Sequence, residues 1–165
     1  MPGSGDAVPH YNALAIPRRL GGIKLSEDTS TLLNKAQIDE FVAPYMRRAL
    51  REAGGGYVHY CGKNPHLYRA VLDEPLVRGL NFGNPDMHDM PRALSDCAER
   101  GIIYYGSIPA NESADLGDHF RRLLAASRKG GRAHLLLCHS CAAGEADSVG
   151  DIWDEAALRG DDDAR

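Results

Sequence analysis

The hydrophobic positions of the chain fall into short apolar runs separated by stretches of helical period. The runs are Leu20–Leu25, Tyr57–Tyr60, Leu76–Phe82, Ile102–Ile108 and His134–Cys138, and each reads as a strand. Between the first two, Ile38, Phe41, Val42, Tyr45, Met46, Ala49 and Leu50 recur at i, i+3, i+4, i+7, i+8, i+11 and i+12, the spacing of one apolar helix face. Asn34 and Gln37 precede this face with the spacing of a capping box. Pro44 lies within it and predicts a kink or a split. Gly54-Gly55-Gly56 predicts its end. Further helices are predicted over Pro65–Leu72, Asp89–Arg100, Leu116–Lys129 and Asp151–Leu158.

This alternation predicts an α/β fold with parallel strands and right-handed crossovers. An open doubly wound sheet and part of a (β/α)₈ barrel both fit about five β/α units, which are too few to close a barrel alone. Residues 1–12 read as a loose lead-in and the acidic stretch 160–165 as a frayed tail. The whole of 1–165 reads as a single domain.

Composition narrows the function classes. Lys and Arg total 19 against 23 Asp and Glu, a net charge of −4, whereas nucleic-acid-binding chains carry a basic excess. No nucleic-acid partner is expected. No apolar run approaches the roughly 18 residues of a membrane-spanning helix, and Met1–Asp6 lacks the basic start and apolar stretch of a signal peptide. A cytoplasmic chain is therefore expected. There, its 4 cysteines read as thiols or metal ligands before disulfides.

In parallel α/β architectures chemistry sits past the C-terminal ends of the strands. The second strand runs into His59-Tyr60-Cys61-Gly62, the third into Asn81-Phe82-Gly83-Asn84, the fourth into Ser107 and the fifth into Cys138-His139-Ser140-Cys141. His59 and Cys61 are two residues apart, so an extended chain points both to one side. With Cys138 they form an imidazole and two-thiolate set suited to zinc, leaving a fourth position open. A coordinated thiol substrate there would lose its proton. Burial of these residues as small packing groups at strand ends remains the competing reading.

Four segments, Gly22-Ile23-Lys24-Leu25-Ser26-Glu27-Asp28, Phe41-Val42-Ala43-Pro44-Tyr45, Val58-His59-Tyr60-Cys61-Gly62 and Gly79-Leu80-Asn81-Phe82-Gly83-Asn84-Pro85, resemble the uroporphyrinogen decarboxylase superfamily. Within it they resemble the branch of cobalamin-dependent and coenzyme M methyltransferases. That branch carries H-x-C followed much later by one cysteine, and His59, Cys61 and Cys138 fall on those positions. The resemblance covers approximately 20–140. It implies a partial (β/α)₈ barrel corresponding to the C-terminal portion of the family fold, bound Zn²⁺, a small-molecule thiol acceptor and a corrinoid-bound methyl donor, with a corrinoid protein as partner. It also leaves open metal-free decarboxylation of uroporphyrinogen, and a non-catalytic fragment or split-barrel subunit that self-associates or pairs with a complementary chain. The arginine-rich segment and early aspartate of true decarboxylases have no match here, and Cys138-His139-Ser140-Cys141 stands where they carry a G-H-G type sequence.

Other residues complete the candidate site. Glu27 and Asp28 follow the first strand, and a carboxylate there would orient the zinc-bound histidine or act on substrate, with a helix N-terminal charge or a solvated loop as the alternative. Asp28 and His139 are the catalytic candidates; His139 reads as a general base, a partner of a ligand, or an exposed loop residue. Asn81 and Asn84 are candidates for substrate binding or for making the turn. Cys141 is an alternative third sulfur ligand, and Cys138-x-x-Cys141 also admits a redox reading. Cys97 reads as a packing residue, and His66, His88, His119 and His134 as surface or rim histidines.

Overall fold

Short apolar runs and helical stripes become parallel β/α units in a computed structural model, which describes residues 7–9, 15–17, 22–110 and 115–162, with side chains for 22–110 and 115–158. The chain divides into two compact units, Met1–Asn84 and Pro85–Arg165.

The first unit opens with strands β1 (Ala7–Pro9) and β2 (Ala15–Pro17), paired antiparallel with Val8 opposite Ile16. Part of the stretch expected as a lead-in is thus a strand. Next come β3 (Ile23–Ser26), a 3-10 turn (Thr29–Leu32) and α1 (Lys35–Gln37). A π turn (Ile38–Val42) leads directly into α2 (Ala43–Glu52). β4 (Gly56–Tyr60), α3 (Pro65–Leu72) and β5 (Val77–Phe82) complete the unit. Leu20 and Gly21, the start of the first expected strand, lie outside the described residues.

The Asn34–Gln37 capping box forms in both directions, each side chain accepting from the other residue's backbone N–H at 3.0 Å. Pro44 explains the widened turn behind it. The proline has no N–H to give, and its ring would strike the carbonyl four residues back. The π turn removes that conflict by sending the Ala43 N–H to the Ile38 carbonyl, five residues back. The extra residue also rotates the apolar face. Ile38, Val42, Met46 and Leu50 are buried at spacings of four. Phe41 and Tyr45, expected on that face, are 58% and 56% exposed.

Strands β3, β4 and β5 pair parallel in sequence order. All five residues of β4 are buried, which is why Tyr57–Tyr60 lacks an alternating polar face. Register sets the level of the site. Ser26 pairs with His59, and His59 with Asn81.

In the second unit a 3-10 turn (Pro85–Met87) precedes α4 (Met90–Glu99), β6 (Ile103–Gly106) and α5 (Leu116–Ala126). β7 (Arg128–Lys129), β8 (Arg132–Ala133), β9 (Leu135–Leu137) and α6 (Ala146–Asp162) follow. Asp89 and Asp115 cap α4 and α5, accepting from the Arg92 and Asp118 N–H groups at 3.1 and 2.8 Å. β6 and β9 pair parallel, Tyr105 opposite Leu136. α5 and α6 pack through Phe120, Leu124 and Ala156, with Phe120 and Trp153 edge to face at 5.1 Å.

Two expected helices change extent. The helix predicted to reach Lys129 stops at Ala126, because Gly130 and Gly131, at φ 58° and 74°, turn Arg128–Lys129 back onto Arg132–Ala133 as a hairpin. The last helix is longer than 151–158, beginning at Ala146 and running to Asp162, into the stretch expected to fray; 163–165 lie outside the described residues. The predicted α/β class with parallel strands is therefore present in both units. No helix among the described residues is long and apolar enough to cross a membrane.

Candidate metal centre

In the first unit three strand ends bring six residues to one place. Ser26, His59 and Asn81 form a row across β3, β4 and β5. Residues two apart in an extended chain share a face, so Cys61 and Gly83 follow His59 and Asn81 on the same side, and Asp28 reaches Cys61 from the start of the 3-10 turn after β3. The contacts agree with that geometry. The Cys61 N–H donates to Asp28 Oδ1 at 2.7 Å, and Cys61 Sγ lies 3.7 Å from His59 Nε2. His59 Nε2 is 3.5 Å from Asp28 Oδ1. One ligand atom from each of Asp28, His59 and Cys61 lies within 4.8 Å of the other two. A carboxylate oxygen, an imidazole nitrogen and a thiol sulfur at such separations suit a small divalent cation such as Zn²⁺.

The other ring nitrogen of the histidine faces into the protein. His59 Nδ1 meets Asn81 Oδ1 at 2.5 Å. The histidine is 3% exposed and the asparagine fully buried. Asn81 thus stands at Nδ1, and the Asp28 carboxylate stands on the Nε2 side.

Asp28 starts the 3-10 turn but its side chain does not cap it. The carboxylate reaches across to the Cys61 loop and also accepts from Ser26 Oγ at 3.1 Å. The side chain therefore does not serve as a cap for that turn. Its neighbour Glu27 is turned away, accepting from Ser30 Oγ at 2.7 Å.

Two of these groups have displaced acidities. Burial pushes the Asp28 carboxyl up, but the backbone N–H and thiol of Cys61, the Ser26 hydroxyl and the charge of His59 outweigh it, leaving the carboxyl below its ordinary value. Burial, then the hydrogen bond and charge of Asp28, hold the Cys61 thiol above its ordinary value. Without a cation the pair is therefore thiol and carboxylate.

Asn84 ties the loops together by accepting from the Gly62 N–H at 2.9 Å. Asn64 does the same from the α3 side. It caps that helix at the His66 and Leu67 N–H groups, and donates to the Thr31 and Leu33 carbonyls at 3.0 and 2.8 Å. Ser26 and Gly83 are the members of the site that sequence reasoning missed. The signal was available: Asp28, Cys61 and Gly83 each lie two residues beyond a residue of the paired row.

The remaining candidates belong to the second unit. Cys138 follows β9, half-buried, its N–H donating to the Gly106 carbonyl at 3.0 Å and its own carbonyl accepting from Ser107 Oγ at 3.0 Å. His139 is exposed, with its ring edge to face against Phe120 at 5.5 Å. Cys141 is exposed, and Cys97 is buried in α4. His119, expected at the surface, is 7% exposed because it lies on the inner side of α5, its Nε2 3.2 Å from the Ile108 carbonyl.

Comparison with models of known families, with curated proteins and with solved structures gives no match.

Proposed function

We propose that the chain is a zinc-dependent, thiol-activating member of the uroporphyrinogen decarboxylase superfamily, of the methyltransferase type, built as a partial (β/α)₈ barrel. The single observation that carries this reading is the convergence of Asp28, His59 and Cys61 within 4.8 Å at adjacent strand ends. The sequence-order pairing of β3, β4 and β5, each strand added beside the last in the same direction, is the winding that a (β/α)₈ barrel requires.

In this reading His59 Nε2 and Cys61 Sγ are two ligands. Cys138 is the third by sequence resemblance, and Asp28 competes for that place by geometry. Zinc at such a centre supplies Lewis acidity that lets a bound thiol react as thiolate at neutral pH. The chain's own residues prepare the place. Asn81 holds the far side of the imidazole. Asp28 stays ionised and fixes the backbone of Cys61. The open side of the cluster, where Asp28 and Cys61 are exposed, admits a small-molecule thiol. A corrinoid-bound methyl group, presented by a partner protein, is the donor that the resemblance supplies.

The test is zinc per chain in wild type and in His59→Ala, Cys61→Ser, Cys138→Ser and Asp28→Asn, followed by methylation of small thiols with methylcobalamin. About one zinc per wild-type chain is expected, lost on changing His59 or Cys61. Loss in Cys138→Ser with retention in Asp28→Asn makes Cys138 the third ligand, and the reverse result makes it Asp28. Folded wild type that holds no zinc overturns the metal reading and favours the metal-free decarboxylase and the non-catalytic fragment alternatives.

A further inference from the structure

We propose that Asn81 is a positioning residue that selects the tautomer of His59, so that the bare nitrogen faces Asp28 and Cys61. The inference rests on the metal reading of the site, but the property it assigns exists in the metal-free protein.

A neutral imidazole carries its proton on one nitrogen only. An oxygen acceptor stands near each ring nitrogen. Asn81 Oδ1 stands 2.5 Å from Nδ1. Asp28 Oδ1 stands 3.5 Å from Nε2, at the outer edge of hydrogen-bond reach. The carboxylate is charged but half exposed, at 47%, so water screens it. The Asn81 contact is dry, with the asparagine at 0% exposure and the histidine at 3%, where an unsatisfied pair of acceptors is most costly. With Oδ1 of the amide facing the ring as it does here, a proton on Nε2 would leave the lone pairs of Nδ1 and Oδ1 opposed across 2.5 Å. Distance and burial therefore both place the proton on Nδ1, donated to Asn81.

The consequence falls on the other nitrogen. Nε2 keeps its lone pair and points it at the space shared with Cys61 Sγ, 3.7 Å away. That is the form in which imidazole binds a metal. The pairing is built into the sheet, since Asn81 and His59 are register partners on β5 and β4.

The experiment is a long-range ¹H–¹⁵N correlation of the His59 ring in metal-free, ¹⁵N-labelled protein, at a pH well above the ordinary histidine range. It is paired with zinc competition titrations of wild type, Asn81→Asp and Asn81→Leu. A protonated Nδ1 and bare Nε2 are expected in wild type and in Asn81→Asp, which keeps the acceptor. Asn81→Leu is expected to move the proton to Nε2, toward Asp28, and to weaken zinc binding about 10- to 100-fold, as loss of a partner behind a histidine ligand does. Rescue by aspartate separates positioning from mere packing. A wild-type ring protonated on Nε2 overturns the proposal, as does an Asn81→Leu protein with unchanged tautomer and affinity. If Asn81→Leu does not fold, the wild-type spectrum decides alone. Wild type that shows the expected tautomer but binds no zinc overturns the metal reading and leaves the positioning intact.

Discussion

Gly83 and Cys61 stand so close that a Cβ on the glycine would lie 2.4 Å from the thiol sulfur. The same atom would come within 3.3 Å of His59 Cε1. The glycine is therefore what leaves room for the thiol beside the imidazole, and its role is spatial.

Gly83→Ala is expected to displace the Cys61 side chain, weaken zinc binding at least about tenfold, and cost about 1 kcal/mol, the low end for overpacking because the thiol is exposed and can move. Zinc competition and urea denaturation measure the two effects. In a Cys61→Ala background the clash is gone, so the stability cost should shrink. An equal cost in both backgrounds would assign the strain to something other than the sulfur.

The acidities of Asp28 and Cys61 set opposite pH trends. The Asp28 carboxyl lies below its ordinary value of 3.8 in the folded chain. Its contribution to stability is therefore present above that value and lost as pH falls through the lower, folded one. Urea midpoints of wild type and Asp28→Asn should converge on acidification.

Cys61 shows the converse as reactivity. Its thiol lies above the ordinary 9.0 through burial and the neighbouring Asp28. Site-resolved alkylation of the metal-free protein should give a rate profile whose midpoint lies above that of a free thiol. Asp28→Asn should lower the midpoint without restoring it fully, since burial, the largest single cause, remains. A profile that is unmoved by the substitution would remove Asp28 from the environment of the thiol. Added zinc should protect Cys61 from the reagent.

Cys97 offers a stability test in the second unit. Burial, with Asp96 nearby, pushes its thiol from 9.0 up to about 12. An acid raised on folding stabilises fully below its unfolded value and loses that contribution as pH rises toward the folded one. Wild-type stability should thus decline above pH 9, with a slope approaching about 1.4 kcal/mol per pH unit from this group alone. Cys97→Ala, although less stable at neutral pH, should lack that component when urea midpoints are compared.

Asn64 joins the turn that follows Asp28 to the helix that follows Cys61. Asn64→Ala removes a helix cap and two half-buried donations together, so a loss of about 2–3 kcal/mol is expected from denaturant unfolding. Zinc affinity should fall with it, because the loops carrying Asp28 and Cys61 lose their common tie. Unchanged stability would show that water replaces all four bonds.

Much of this was legible in the chain itself. The parallel strands of each unit and the helices between them followed from the alternation of apolar runs and helical stripes, because burying one face imposes the period of the element that carries it. The Asn34 box and the helix over Pro65–Leu72 are local chemistry and were read locally. His59 and Cys61 were legible as a pair for the same reason, a spacing of two on a strand. Where local rules competed, the chain alone did not decide. Pro44 announced a disturbance, but only the folded helix showed that a widened turn absorbs it and turns Phe41 and Tyr45 outward. The rest of the site depended on register. That Asn81 lies opposite His59, that Asp28 reaches Cys61, and that Gly83 is the neighbour that must have no side chain are facts about which strand residues stand abreast. Parallel strands are joined by long crossovers, so sequence distance says nothing of that alignment, and tertiary packing alone decides it.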